Sequence, residues 1–197
     1  MARQVEFYFD VGSPAAYLAW MQLPRVARAT GARVEYRPLL LGGVFQATGN
    51  RSPMEVPAKG KYMQEDLQRF ARRYGVEFNH NPHFPINTLA LMRGAVGLQM
   101  REPGRLRAYL DTVFRAIWVE GRNMNDPATV AVVLQGAGFD AQQLQALAAD
   151  PQVKEQLKQA TQEAVARGVF GAPTFFVGEQ MYWGQDRLDF VQEAIQK

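Results

Sequence analysis

Apolar and polar positions alternate from residue 4 to residue 9, in a run rich in Val, Phe and Tyr. That period of two predicts a strand buried on at least one face. The period then changes. From Pro14 to about Ala29 the apolar residues Leu18, Met21, Leu23 and Val26 recur at helical spacing, and Gly31 stands where such a helix would end. Residues 33–38 predict a second strand, so the chain opens with a β-α-β unit and a parallel strand pair. Gly42, Gly43, Gly49, Pro53 and Pro57 punctuate residues 39–58, which predicts a loop with one short helical turn.

Between about 60 and 167 the alternating pattern is missing. Helices are predicted at 60–74, 87–101, 104–120, 126–136, 140–148 and 151–167. Asp126-Pro127 and Asp150-Pro151 each put a capping side chain before a proline at the first helical position. Strand patterns return at 174–178 and 180–183, joined by Gly178 and Glu179 as a hairpin turn. Asp186 is expected to cap a last helix reaching about Ile195. The order β-α-β, helical block, β-β-α is that of an α/β thioredoxin-like fold carrying a large all-helical insertion. The expected division is 1–58 plus 168–197 for the thioredoxin-like part and 59–167 for the insertion. Neither flank completes the four-stranded sheet alone.

Composition narrows the function classes. With 47% apolar and 21% charged residues, the 197-residue chain can fill a core. Its net charge of +3 is too mild for a nucleic-acid surface and suits a small anionic ligand. Arg69, Arg72 and Arg73 form the densest basic cluster and are expected on a solvated helix face, with Phe70 and Tyr74 on the other. The opening residues carry no apolar signal core, and no stretch approaches the ~18 apolar residues of a membrane span, so a cytoplasmic, membrane-free location is expected. The chain has no cysteine. Disulfide exchange by its own thiols is therefore impossible.

Four places could carry chemistry. Ser13-Pro14 follows a strand and starts a helix. Ser13 is either a plain N-cap before an N1 proline, or a hydroxyl donor to a thiolate held at the helix N-terminus. There the free amides and the helix dipole would lower a thiol's pKa. No base lies near in sequence to make Ser13 itself a nucleophile. Pro173, between Ala172 and Thr174, either begins a strand or forms a cis bond that leaves the Ala172 N–H and C=O free to pair with a bound peptide backbone. In Trp183-Gly184-Gln185-Asp186, Asp186 is a helix cap, a binder of a charged ligand end, or both. The loop residues Gly49-Asn50 and Lys59 serve as a turn and a solvated lysine, or as ligand contacts. His80 and His83 lack the further ligands a metal site needs, so no metal is expected. Phe84 in the same loop either packs or walls an aromatic pocket. The glycines spell neither a phosphate loop nor a dinucleotide fingerprint.

These pieces resemble the 2-hydroxychromene-2-carboxylate isomerases and the related kappa-class glutathione transferases, both of the DsbA-like thioredoxin fold. The resemblance runs nearly end to end. It rests on Phe9-Asp10-x-x-Ser13-Pro14-x-x-Tyr17-Leu18, Gly49-Asn50, Pro57-Ala58-Lys59-Gly60-x-Tyr62, Val169-Phe170-Gly171-Ala172-Pro173-Thr174 and Trp183-Gly184-x-Asp186-Arg187-Leu188. It implies Ser13 in place of the redox cysteine and glutathione bound with its sulfur at Ser13. The cysteinyl backbone would pair with Ala172 beside cis-Pro173. Further contacts would come from Asn50, Trp183, Gly184, Gln185 and Asp186, and from Lys59. A small aromatic acid would lie near Phe84 and the 39–50 loop, and the assembly would be a homodimer. The implied reaction is reversible thiolate addition that converts 2-hydroxychromene-2-carboxylate to trans-o-hydroxybenzylidenepyruvate. The 39–48 segment and the loop after Phe78 do not plainly reproduce the isomerase's substrate contacts. A transferase acting on other electrophiles, or a non-catalytic binder that pairs peptides at the cis-proline, are the alternatives. Retention on glutathione argues against the binder, and product analysis separates isomerisation from conjugation.

Overall fold

β1 (Gln4–Phe9) buries Val5, Phe7 and Phe9 on one face and Tyr8 on the other, as a period of two requires. Its chain runs through the elbow Asp10–Ser13 into α1 (Pro14–Thr30), which Gly31 ends in the left-handed conformation at φ 68°. β2 (Arg33–Pro38) pairs parallel to β1 in the register Phe7 to Tyr36. The computed structural model describes residues 3–197, so the first two positions of the expected 1–58 segment lie outside the described residues.

The chain then builds α2 (Leu41–Thr48), a single 3-10 turn at Pro53–Glu55, and α3 (Pro57–Tyr74). Next come α4 (Leu89–Arg101), α5 (Pro103–Trp118), α6 (Pro127–Gly136), α7 (Ala141–Ala149) and α8 (Pro151–Ala166). It returns to the sheet as β3 (Thr174–Val177) and β4 (Gln180–Trp183), and closes with α9 (Leu188–Gln196). The sheet order is β2-β1-β3-β4, with β3 antiparallel to both neighbours. The expected four-stranded sheet and its intervening helices are therefore present. Asp126 and Asp150 cap α6 and α8 through their carboxylates, as the Asp-Pro pairs predict.

Two expectations need correction. Residues 39–58 contain an eight-residue helix rather than a loop with one turn. Glycine punctuation was misleading because Gly43 lets α2 approach α8: a Cβ there would lie 3.3 Å from Thr161 Cγ2. Val44 also packs in the second core with Leu39 and Tyr8. The first amide of α2 is capped from a distance, since Leu41 N donates to the Asp10 carboxylate at 2.8 Å. Asp186, expected as an N-cap, instead falls within a 3-10 turn, Gln185–Arg187, and α9 starts at Leu188 without a side-chain cap.

One buried cluster joins the sheet to the helices. A chain of aromatic contacts runs Phe175–Phe7 (5.3 Å between centroids), Phe7–Phe9 (5.1 Å), Phe9–Phe114 (6.3 Å), Phe114–Tyr17 (6.0 Å), Tyr17–Phe78 (6.3 Å) and Phe78–Trp118 (6.0 Å). Offset and tilted aromatic pairs of this kind add directional energy to area burial. The last pair, Phe78 and Trp118, is buried and forms part of the wall of a cavity that Pro14 also borders.

Asp10 is 1% exposed, and burial pushes its carboxyl above the ordinary value while its three donors oppose that rise. A carboxyl whose pKa is raised on folding stabilises the fold below its unfolded value of 3.8, and that contribution is lost as pH rises through the folded value. Asp10→Asn cannot accept from every one of the same donors and is expected to cost about 1–2 kcal/mol at acid pH. In chemical denaturation, the gap between wild type and variant is expected to narrow as pH rises above 3.8.

Candidate functional site

The site is built on the elbow between β1 and α1. Asp10 accepts from Gly12 N at 2.9 Å, Leu41 N at 2.8 Å and the Thr88 hydroxyl at 3.0 Å. Val11 is fixed at both ends: its N–H meets Met92 Sδ at 3.4 Å and its carbonyl accepts from Trp118 Nε1 at 2.8 Å. Ser13 N donates to Asp10 O at 3.1 Å. Asp10 and Val11 thus tie the turn to α2, α4 and α5, which leaves little freedom in where α1 begins.

The Ser13 hydroxyl has two partners. It accepts from Ala16 N at 3.1 Å, which is the N-cap bond, and it donates to the Ala172 carbonyl at 2.9 Å. The second bond links residues 159 positions apart and brings the two sequence motifs together. Pro14 has no N–H and Ala16 N is capped, so the Ala15 amide is the first-turn donor with no intrahelical acceptor. The Ala172–Pro173 bond is cis.

The other predicted residues gather around the same rim. Asn50 Nδ2 donates to Phe170 O at 2.8 Å, which ties the end of α2 to the segment before the cis bond. Trp183 packs on Phe170 with ring centroids 5.0 Å apart and leaves half its surface exposed. Gly184 N donates to Pro173 O at 3.0 Å, and its φ of 101°, with Asp186 Oδ1 close to where a Cβ would stand, favours glycine. Gln185 is buried, and its carbonyl accepts from the Tyr74 hydroxyl at 3.0 Å. Burial, with Asp189 and Asp186 nearby, pushes the Tyr74 phenol up to about 12, so it remains a donor at neutral pH. Asp186 is exposed and paired with Arg187. Lys59 lies exposed in the first turn of α3 and makes no hydrogen bond or ion pair among the described residues. The structure therefore brings Ser13, Asn50, Ala172, Pro173, Trp183, Gly184, Gln185 and Asp186 together but supplies no contact that draws in Lys59.

A cavity of about 250 Å³ opens next to Ser13, with Pro14 as part of its wall. Leu67, Phe78, Phe84, Trp118 and Met54 make it mainly apolar, and Gln64, Glu65, Gln68 and His80 supply its polar edge. Phe84 thus lies where an aromatic ligand would meet it. Sequence reasoning passed over Asp10, Trp118, Gln64 and Tyr74 as positioning or lining groups. The one available signal was Asp10, a charge inserted in the apolar run Phe7-Tyr8-Phe9-Asp10-Val11. Among the described residues no group of three or more His, Cys, Asp or Glu could hold a metal ion.

Chemically, this arrangement offers a hydroxyl, a free amide and the positive end of α1 to an anion, a carbonyl edge to an extended backbone, and a dry aromatic wall beside both. Comparison with known proteins places it. The chain is 35% identical to the 2-hydroxychromene-2-carboxylate isomerase of Sphingobium xenophagum, covering 99% of both proteins. It is 28% identical to human glutathione S-transferase kappa 1, over 99% of this chain and 92% of that one. A solved structure of 2-hydroxychromene-2-carboxylate isomerase superposes with a TM-score of 0.85 at 31% identity, covering 98% of this chain and 94% of the other. The family model for the DSBA-like thioredoxin domain matches residues 4–196, and with a serine at the head of α1 and no cysteine anywhere, the chain belongs to that family.

Proposed function

We propose that the protein is a glutathione-dependent isomerase that converts 2-hydroxychromene-2-carboxylate to trans-o-hydroxybenzylidenepyruvate. The observation that carries this reading is the Ser13–Ala172 contact at 2.9 Å beside an aromatic cavity, in a chain with no sulfur nucleophile of its own. Full-length relatives that bear the isomerase name at 33–35% identity support the same reaction.

Glutathione is the group that supplies a nucleophilic thiol when bound. The chain's residues then have distinct tasks. With glutathione bound, the Ala172 carbonyl would accept from the cysteinyl N–H and so release the Ser13 proton. Ser13 turns that proton toward the sulfur while keeping its bond from Ala16 N. The Ala15 amide and the α1 dipole add to the stabilisation of negative charge there. Asn50, Trp183, Gly184, Gln185 and Asp186 hold the remainder of the tripeptide, and the charge of Lys59 serves its anionic ends from a distance. Phe78, Phe84 and Trp118 orient the aromatic ring against the sulfur and exclude water, which strengthens each electrostatic contact. When bound, the thiol would add transiently to the chromene, the ring C–O bond would open, the resulting single bond would rotate, and elimination would return the thiol with no net redox change. The same reading places the enzyme in the cytoplasm as a homodimer. Conjugation of other electrophiles is the second reading, favoured by the kinship to the kappa transferases.

Product analysis by absorbance and mass separates the two: an isomer of unchanged mass is expected, whereas a stable glutathione adduct would establish the transferase. Ser13→Ala is expected to raise the apparent thiol pKa of bound glutathione and slow turnover, with the lost cap costing about 0.5–2 kcal/mol in stability. Normal thiol ionisation together with reduced thermal stability would leave Ser13 as a cap alone.

A further inference from the structure

We infer that His80 is the residue by which the cavity selects an aromatic acid over a neutral aromatic of the same shape. The inference rests on the aromatic-acid reading of the cavity but concerns a residue with no part in holding the thiol. Of the side chains on the cavity wall, none is Lys or Arg, and His80 is the one that can become a cation. Glu65, the acid on the same wall, is paired with Arg69 at 3.3 Å, which offsets its repulsion of a bound carboxylate. Gln68 is already engaged, its amide donating to Phe78 O at 3.1 Å. Gln64 touches His80 Nε2 at 3.5 Å and the Phe84 ring lies 6.1 Å from the imidazole, so the ring is braced on two sides while its edge stays exposed.

The backbone on either side of His80 is unusually well held for a loop. Asn79 N donates to Trp118 O at 2.7 Å and Asn79 Nδ2 to Val119 O at 2.7 Å. Asn81 is fully buried, donates to both Ile117 O and Arg122 O at 2.9 Å, and accepts from His83 N at 2.8 Å. Asn125 Nδ2 closes the far end, reaching His83 O and Pro85 O at 3.2 Å. A polar side chain presented from a rigid loop at the edge of an apolar cavity is a pre-organised recognition group. An imidazole N–H there forms a charge-assisted hydrogen bond with a carboxylate whose ring packs against Phe84. Glu65 of α3, paired with Arg69, is the other titratable group on this wall; the remaining neighbours of His80, Gln64 of α3, Phe84 of the loop and Trp118 of α5, carry no charge.

The test is calorimetric titration of the full chain, without glutathione, using coumarin-3-carboxylate and coumarin as a matched acid and neutral probe. Wild type is expected to bind the acid about tenfold tighter, the weight of one charge-assisted hydrogen bond. His80→Ala is expected to bind both probes equally, and His80→Gln to keep a smaller preference. An unchanged preference in His80→Ala, or no preference in wild type, overturns the inference. Glutathione is titrated separately against the same proteins: equal affinity in wild type and His80→Ala is expected. A wild type that fails to take glutathione overturns the isomerase reading and leaves the acid preference to be judged on its own titration.

Discussion

The structure turns on a buried carboxylate at the end of the first strand. Asp10 collects an amide from its own turn, an amide from the start of α2 and a hydroxyl from just before α4. Three segments far apart in sequence are thereby fixed to one oxygen pair. A burial cost that would be prohibitive for an unpaired charge is partly offset by those donors. The consequence is geometric: Ser13, three residues later, starts α1 in one place, with its hydroxyl against Ala172.

The second constraint is the aromatic line that leads from the sheet to the surface. Trp118 has two roles in it. Its indole N–H holds the Val11 carbonyl at 2.8 Å, and its ring forms part of the cavity wall. The floor of the ligand cavity is therefore an extension of the core, and a change in packing at Phe114 or Phe78 would be felt beside Ser13. The loop from 79 to 86 is held by hydrogen bonds of Asn79 and Asn81 and leaves His80 exposed at the cavity's edge.

Much of the fold was legible because the periodicities are strong. Strands at 4–9, 33–38, 174–177 and 180–183 carry dense β-branched or aromatic residues, and the Asp-Pro pairs mark helix starts through chemistry local to a few residues. The α2 helix was not legible, because its first cap comes from Asp10 and its glycine serves a contact with α8. Both are long-range facts. The same holds for Asp186, where a local capping rule yielded to the turn that Gly184 and Tyr74 impose on Gln185.

Residue identity alone determined that this chain has no redox cysteine, that a serine-headed helix follows its first strand, and that a proline precedes its third. Short-range forces settle those features, so they can be read in order along the chain. Only the tertiary structure decided that the Ser13 hydroxyl donates to Ala172, that Asn50 meets the segment before the cis bond, and that His80 borders the aromatic cavity. These are outcomes of packing between distant segments, where a bond's partner is chosen by which helices fit together rather than by any neighbour in sequence.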